Sequence, residues 1–397
     1  MIPGIRQAFN DRYTREAYAH FLEELQAQHP GAIEFRIAET PVFVPKALGV
    51  AILDTCEYII DQILEPGFLD YTAASVPVYD RVPGDIGQPQ ILTFDFGICE
   101  DAAGQLSPQL IEMQGFPSLL GFQAMYPALL EKHFPIPEGF SNFFSGLDRQ
   151  RYASLLQEVI VGDCAPEEVV LLEIQPERQK TRVDFLCTRN LLGIQPVCIT
   201  QLKPEGRYLY YEHDGRRIRI RRIYNRVIFD ELHAVRDRLG KIIDIRDGWD
   251  VTWVPHPDWF YRVSKYTLPF LRHPYIPETW FLDQVKALPG SMSDFVLKPL
   301  FSFAGQGVVI DLQPSDIEGV SDPAHWILQR KVRYADAILT PQDPAKVEIR
   351  IMYLWKQGET RPMAATNLAR LSKGKMIGVR YNTDKEWVGG SVAYFES

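Results

Sequence analysis

The sequence predicts a mixed α/β (α+β) protein, and three observations carry that prediction. Two stretches near the N-terminus space their apolar residues as helices do, the run "VVLL" at Val169 to Leu172 is wholly apolar, and extended runs recur to the end of the chain.

Arg12 to Gln28 has helical periodicity, and "ALGVAILDTCEYIIDQIL" (Ala47 to Leu64) carries apolar residues at i, i+3, i+4 and i+7. From Pro89 the pattern changes. "QILTFDFGI", an acidic and glycine-bearing connection, and "QLIEMQGFPSLLGF" read as two strands joined by a turn. "RQRYASLLQEVIVGD" reads as a helix, "EEVVLLEI" as a strand buried on both faces, and "KTRVDFLCTRNLLGIQPVCIT" as helix then strand. "YLYYEHDGRRIRIRRIYNR" places Asp214-Gly215 between two extended runs, a strong hairpin signal. "FVLKPLFSFAGQGVVIDL", "HWILQRKV" and "EIRIMYLW" add strands in the last third.

A chain of 397 residues with 46% hydrophobic and 12% aromatic content can bury a large core and is expected to form two or three lobes. The soft boundaries are an N-terminal helical and mixed lobe over residues 1–90, a middle segment over 91–250 and C-terminal lobes over 251–397. A net charge of −9 and a pI near 5.5 argue against a general nucleic-acid or membrane-surface binder. The N-terminus lacks an apolar targeting core, and no stretch reaches the ~18 apolar residues of a membrane span. Five cysteines without a C-x-x-C pair suggest neither a disulfide framework nor a zinc ribbon, so a cytoplasmic location is expected.

In "FVLKPLFSFAGQGVVIDL", a lysine ending a strand can direct its ammonium at a ligand over the sheet edge, while glycines let backbone N–H groups approach phosphate oxygens. A hairpin that needs glycine in its turn reads equally well. It is not a Walker loop, because Lys298 precedes the loop and a strand follows it. Lys265 lies upstream and Gln329 downstream, where a strand end can hydrogen-bond an adenine edge.

On the carboxylate side, Asp95 sits in an apolar strand, and Glu112 and Gln114 share a strand face because they are two apart. Together they could hold Mg²⁺; polar alternation on an exposed face is the competing reading. Arg217, Arg219 and Arg221 alternate onto one face, either to bind a substrate carboxylate or as a solvated edge. Arg226, in a less regular stretch, is a further substrate-site candidate.

Taken together, these pieces resemble the ATP-grasp ligases, in the order of the circularly permuted branch that includes the synthetase part of glutathionylspermidine synthase. "Asp95 … Glu112-Met-Gln114-Gly-Phe-Pro117-Ser118" resembles the family's "D…E-x-N-x-x-S-P-T" magnesium segment. "VSKYTLPFL" is similar to "S-N-K-A-I-L-P-L-L", which puts the first ATP lysine at Lys265. "LKPLFSFAGQGV" is similar to "KPI-x-G-R-x-G-x-N-I", which implies Lys298 as the second and a phosphate-covering loop from Ser302 through Gly305, Gln306 and Gly307. "ILQRKV" looks like the adenine hinge, implicating Gln329, Arg330, Lys331 and Val332. "EIRIMYLW…RPMAATNLARLSKGKMIG" resembles the strands that carry Arg350 and Arg370 as phosphate or transition-state contacts.

Two departures stand out: Gln114 replaces the metal asparagine, and Thr93 stands where the glutathionylspermidine relatives carry an arginine. The resemblance implies an ATP-grasp fold in permuted order and an ATP- and Mg²⁺-dependent ligase. Such an enzyme joins a small-molecule carboxylate to an amine through an acyl phosphate. A non-catalytic nucleotide-binding partner protein and a small-molecule kinase are the alternatives. Nothing in the sequence names the substrates or the oligomeric state.

Overall fold

The structure is a computed structural model that describes residues 1–397 except 118, 289, 303–304, 375–376, 378–381 and 383. Its centre is a five-stranded antiparallel sheet in the spatial order 389–391, 363–372, 346–354, 91–100, 106–114. We refer to the last four strands by the residues they carry, as the Arg370, Arg350, Asp95 and Glu112 strands. Ile91–Glu100 is buried along nearly its whole length, and period-two geometry sends Phe94, Phe96 and Ile98 to one face. That face packs with Ile349, Ile351 and Tyr353 against the helix Lys46–Leu64, which contributes Ile52, Cys56, Ile59, Ile60 and Ile63. The other face carries the polar residues.

A second sheet of three antiparallel strands, Thr279–Phe281, Trp326–Arg330 and Phe295–Pro299, holds Lys298 and Gln329. A third is a four-stranded parallel sheet in the order Thr252–Val254, Arg222–Asn225, Val169–Glu173, Gln195–Cys198. The apolar run that signals burial on both faces is thus central in a parallel sheet, as its composition requires. The hairpin Tyr208–His213 to Arg216–Ile220 turns at Asp214-Gly215, as its sequence predicts.

Several boundaries differ. The helix expected over Arg12 to Gln28 runs from Arg15 to Gln28, with Thr14 capping it through its side chain, and a separate helix that was not expected, Pro3–Arg12, precedes it. The stretch read as one strand through Phe122 stops at Gln114, and Leu120–His133 is a helix. The helix expected over 149–163 is α-helical to Leu156 and then widens to a π-turn over Gln157–Val161. After Pro299 the expected partner strand reduces to Val309, which exchanges both backbone hydrogen bonds with Leu297. The central sheet draws strands from the segments expected as the second and third lobes, so those segments share one core.

Candidate functional site

The polar face of the central sheet gathers the charged residues in two rows. Asp95 lies directly across from Glu112 on one side and Arg350 on the other, while Gly97, Glu348 and Arg370 form the neighbouring row. Gln114 lies across from Thr93. Asp95 is 1% exposed. Arg350 reaches it at two points, Nε to Oδ1 at 2.5 Å and Nη2 to Oδ2 at 2.5 Å, and Arg370 Nη2 donates to Oδ2 at 2.8 Å. The same Arg370 nitrogen donates to Glu348 Oε2 at 2.9 Å, and the Tyr334 hydroxyl donates to the other Glu348 oxygen. Glu112 Oε1 accepts from the Gln114 amide at 2.9 Å and lies 3.6 Å from Arg350.

Burial sets the protonation balance here. It pushes the Asp95 carboxyl up, but Arg350 and Arg370 outweigh it and leave that carboxyl below its ordinary value. Glu348 is raised, because burial exceeds what Arg370 returns. Arg370 is raised further above its ordinary value: burial opposes this, and Glu348, Asp95 and Glu112 override it.

A bulge links this sheet to the lysines. Asp95 pairs with Glu112 but Phe96 pairs with Leu110, leaving Ile111 as the extra residue of its strand. Lys298 Nζ donates to the Ile111 carbonyl at 3.3 Å and to Gln329 Oε1 at 2.6 Å. Gln329 is buried and is fixed from its other end, its Nε2 donating to Thr279 Oγ1 at 3.1 Å. Burial pushes the Lys298 ammonium down to about 8, Glu112 opposing it and Lys265 adding to it.

Lys265 is carried on a short 3-10 turn, Lys265–Phe270, that Ser264 caps by accepting from Tyr266 N. Its Nζ donates to the Ser302 carbonyl at 2.5 Å, and burial lowers its basicity against the pull of Glu112. The segment is tied to the edge of the central sheet by Leu110 N to Tyr275 O at 2.8 Å and Gly115 N to Val263 O at 3.0 Å.

Of the loop expected to cover phosphate, Ser302 lies against Lys265, and its hydroxyl is buried without a hydrogen-bond partner. Gly305, Gln306 and Gly307 are exposed, both glycines with positive φ; Phe303 and Ala304 lie outside the described residues. In the segment expected as the adenine hinge, Arg330 Nε pairs with Glu278 at 3.2 Å, Lys331 Nζ reaches Ile310 O at 3.2 Å and Asp311 at 3.4 Å, and Val332 follows, partly buried. Part of "LSKGKMIG" and Ser118 of the magnesium-type segment also lie outside the described residues.

Asp95, Glu112 and Gln114 therefore come together on one face as their spacing predicts, but their donor set does not fit a resident magnesium ion. Both Asp95 oxygens already accept from guanidinium groups, and Glu112 shares an oxygen with Gln114. Among the described residues no group of three or more His, Cys, Asp or Glu could hold a metal ion. What the face offers is cationic, four basic side chains (Lys265, Lys298, Arg350, Arg370) against three carboxylates, and such a site suits an anion.

Sequence reasoning missed Glu348, Tyr334 and Thr279. Glu348 was legible in "EIRI", because it stands two before Arg350 and shares its face; Tyr334 belongs to no regular strand and has no such signal. Arg217, Arg219 and Arg221 pair with Glu205, Asp250 and Glu168 at the surface, the solvated-edge arrangement. Arg226 donates to the Pro117 carbonyl just beyond Gln114, near the buried Glu173 and Asp184. Two cavities, about 230 Å³ between Phe9 and Phe134 and about 600 Å³ beside Asp148 and Glu158, lie on other elements.

The class these sheets define is a mixed α/β protein with one charged sheet face, and a solved structure gives the fold a likeness. A glutathione synthetase-like effector from Globodera pallida, in its apo form, superposes with a TM-score of 0.56 over 91% of this chain and 90% of that one, at 10% sequence identity. The likeness covers nearly the whole length of both chains and concerns the fold. No protein-family model matches the chain, and no curated protein matches it by sequence.

Proposed function

We propose that the protein is an ATP-dependent ligase that joins a carboxylate to an amine, with the ATP-grasp arrangement of the permuted, glutathionylspermidine synthase-like kind. The observation that carries this reading is the position of Lys298. It stands where the Gln329 sheet meets the bulge beside Glu112, so that a lysine, a hinge residue and the carboxylate face converge on one point. The fold likeness supports the same reading.

In this reading Lys265 and Lys298 hold the phosphates, and backbone N–H groups around Gly305 and Gly307 cover the terminal one. Residues Gln329, Arg330, Lys331 and Val332 border the adenine. A substrate carboxylate oxygen attacks the γ-phosphorus as ADP leaves. An amine nitrogen then attacks the acyl carbon, phosphate leaves with the C–O electron pair, and the amine proton passes to solvent. Arg370 neutralises the oxyanion of that second step, and Arg350 fixes Asp95 beneath it. Little covalent help is needed from the protein, because charge neutralisation and positioning supply most of the acceleration.

A second reading, a nucleotide-binding partner without catalysis, is favoured by one observation: Asp95 is committed to two arginines. Mg²⁺-dependent ATP hydrolysis in the presence of mixed acids and amines, with mass spectrometry of the products, separates the two. An amide product and acid-dependent ADP release support the ligase; nucleotide binding without turnover supports the partner protein. Absence of nucleotide binding would sink both.

A further inference from the structure

We propose that the cavity beside the N-terminal helices is a binding site for a small organic acid with an aromatic body, and that Arg12 holds the carboxylate of that acid at the rim. The site stands apart from the charged sheet face and does not rest on the ligase reading.

The cavity, about 230 Å³, lies between the helices Pro3–Arg12 and Arg15–Gln28, the end of the helix Leu120–His133 and the strand Val42–Val44. One side of it is aromatic. Phe9, Phe43 and Phe134 are 6%, 2% and 6% exposed, with ring centroids 6.2 Å apart for Phe9 and Phe43 and 5.5 Å apart for Phe9 and Phe134. The other side is made of small residues, Gly4, Ala8 and Ala17, and a Cβ added to Gly4 would meet nothing within 4 Å. Rings facing small residues leave a gap that an apolar body fills. A dry apolar cavity of roughly 150 Å³ takes one benzene, so this one has room for a ring and a short side chain.

The walls are set before any ligand arrives. Arg6, 2% exposed, donates to the Pro41 carbonyl at 3.1 Å and to the Thr40 hydroxyl, which ties the first helix to the chain just before Phe43. Glu24 accepts from Lys132 at 2.5 Å and pairs with His133 Nε2 at 2.7 Å, which ties the second helix to the end of the helix Leu120–His133. A pocket already formed avoids the ordering cost that weakens small-ligand binding.

The rim decides the class of ligand. Its polar side chains are Arg12, Tyr13 and His133. His133 is paired with Glu24, whereas the Arg12 guanidinium makes no hydrogen bond or ion pair among the described residues. An uncommitted cation over an apolar gap suits a ligand that is apolar at one end and anionic at the other.

The test is isothermal titration of the full chain with phenylpropionate, phenylpropanol and phenylpropylamine, which share one body and differ in head group, on wild type, Arg12→Gln, Ala17→Leu and Ala8→Leu. Wild type is expected to bind the acid with a dissociation constant at or below about 1 mM, at least about tenfold tighter than the alcohol. Arg12→Gln, at an exposed side chain, is expected to bring the acid to the level of the alcohol and to leave the alcohol unchanged, a split that a structural role would not give. Ala17→Leu and Ala8→Leu are each expected to weaken acid and alcohol alike by at least about tenfold, because the larger side chain takes up the gap. Ala8→Leu, at an exposed helical position, keeps the test alive if Ala17→Leu does not fold. Acid binding that neither filling variant weakens in a folded protein puts the probe elsewhere and overturns the site. An Arg12→Gln protein that keeps the preference for the acid overturns the role of Arg12. The carbonyl ends of two helices border the cavity and would favour the amine, so an amine that binds as tightly as the acid overturns the proposal. No binding of the acid by wild type does the same.

Discussion

Lys298 and Gln329 are diagonal neighbours on one face of an antiparallel pair, and the lysine ammonium donates to the amide oxygen at 2.6 Å. Because Gln329 Nε2 is spent on Thr279, its oxygen is turned toward the lysine, and the amide assignment follows from the network. The pair aims Lys298 at the bulged strand before any ligand arrives.

Replacing Lys298 by methionine is therefore expected to lower ATP turnover by at least about 100-fold, the scale of losing a positioned charge at a phosphoryl centre. Phosphate release, read beside a melting curve, checks it. Normal turnover in a folded Lys298→Met protein would take the residue out of the site.

The same lysine makes stability pH-dependent. Its ammonium is pushed down to about 8 from an ordinary 10.5 by burial, with Lys265 adding to the effect and Glu112 opposing it. Between those values the unfolded chain binds more protons than the native one, so this group's contribution to stability rises with pH across the window. Urea melts of wild type and Lys298→Met are expected to converge as pH climbs from about 8 to 10.5, since the penalty for the buried charge is present in full below the window and fades through it. Parallel curves would contradict the buried ammonium.

Glu173 gives the opposite sign. It ends the central parallel strand, and burial pushes its carboxyl up to about 8 from 4.5 despite Arg226. The native state then holds a proton that the unfolded chain has released, and stability is lost as pH rises through that window. Glu173→Gln is expected to match wild type below about 4.5 and to melt progressively higher than wild type up to about 8, by differential scanning calorimetry.

Gly97→Ala is expected to cost about 1–3 kcal/mol, because the new methyl meets the Tyr334 ring at 2.7 Å and the Asp95 strand, paired on both sides, cannot retreat from it. Denaturant melts measure it. Unchanged stability would show that Tyr334 does not lie over this strand.

Much of this site was legible in the sequence, and the parts that were not have physical reasons. Asp95, Glu112 and Gln114 share a face because strand alternation has a fixed period, which sequence shows directly. The helix Leu120–His133 was not legible: it begins after Leu119 in a left-handed conformation, contains Pro127, and buries apolar residues all round, leaving no amphipathic signal. The arginine partners of Asp95 were invisible as partners, since they come from strands far along the chain. Gln329, which by composition belongs on a surface, is buried by the lysine and threonine on either side of it.

The strand order of the central sheet also bears on how the protein is made. Asp95 and Arg350 are 255 residues apart in sequence yet adjacent across the sheet, and the Arg370 strand lies beyond them. A chain emerging from the ribosome exposes the Asp95–Glu112 hairpin long before its partner strands exist. The buried carboxylate must wait in water, and the charged face can close only after the Arg350 and Arg370 strands have been made.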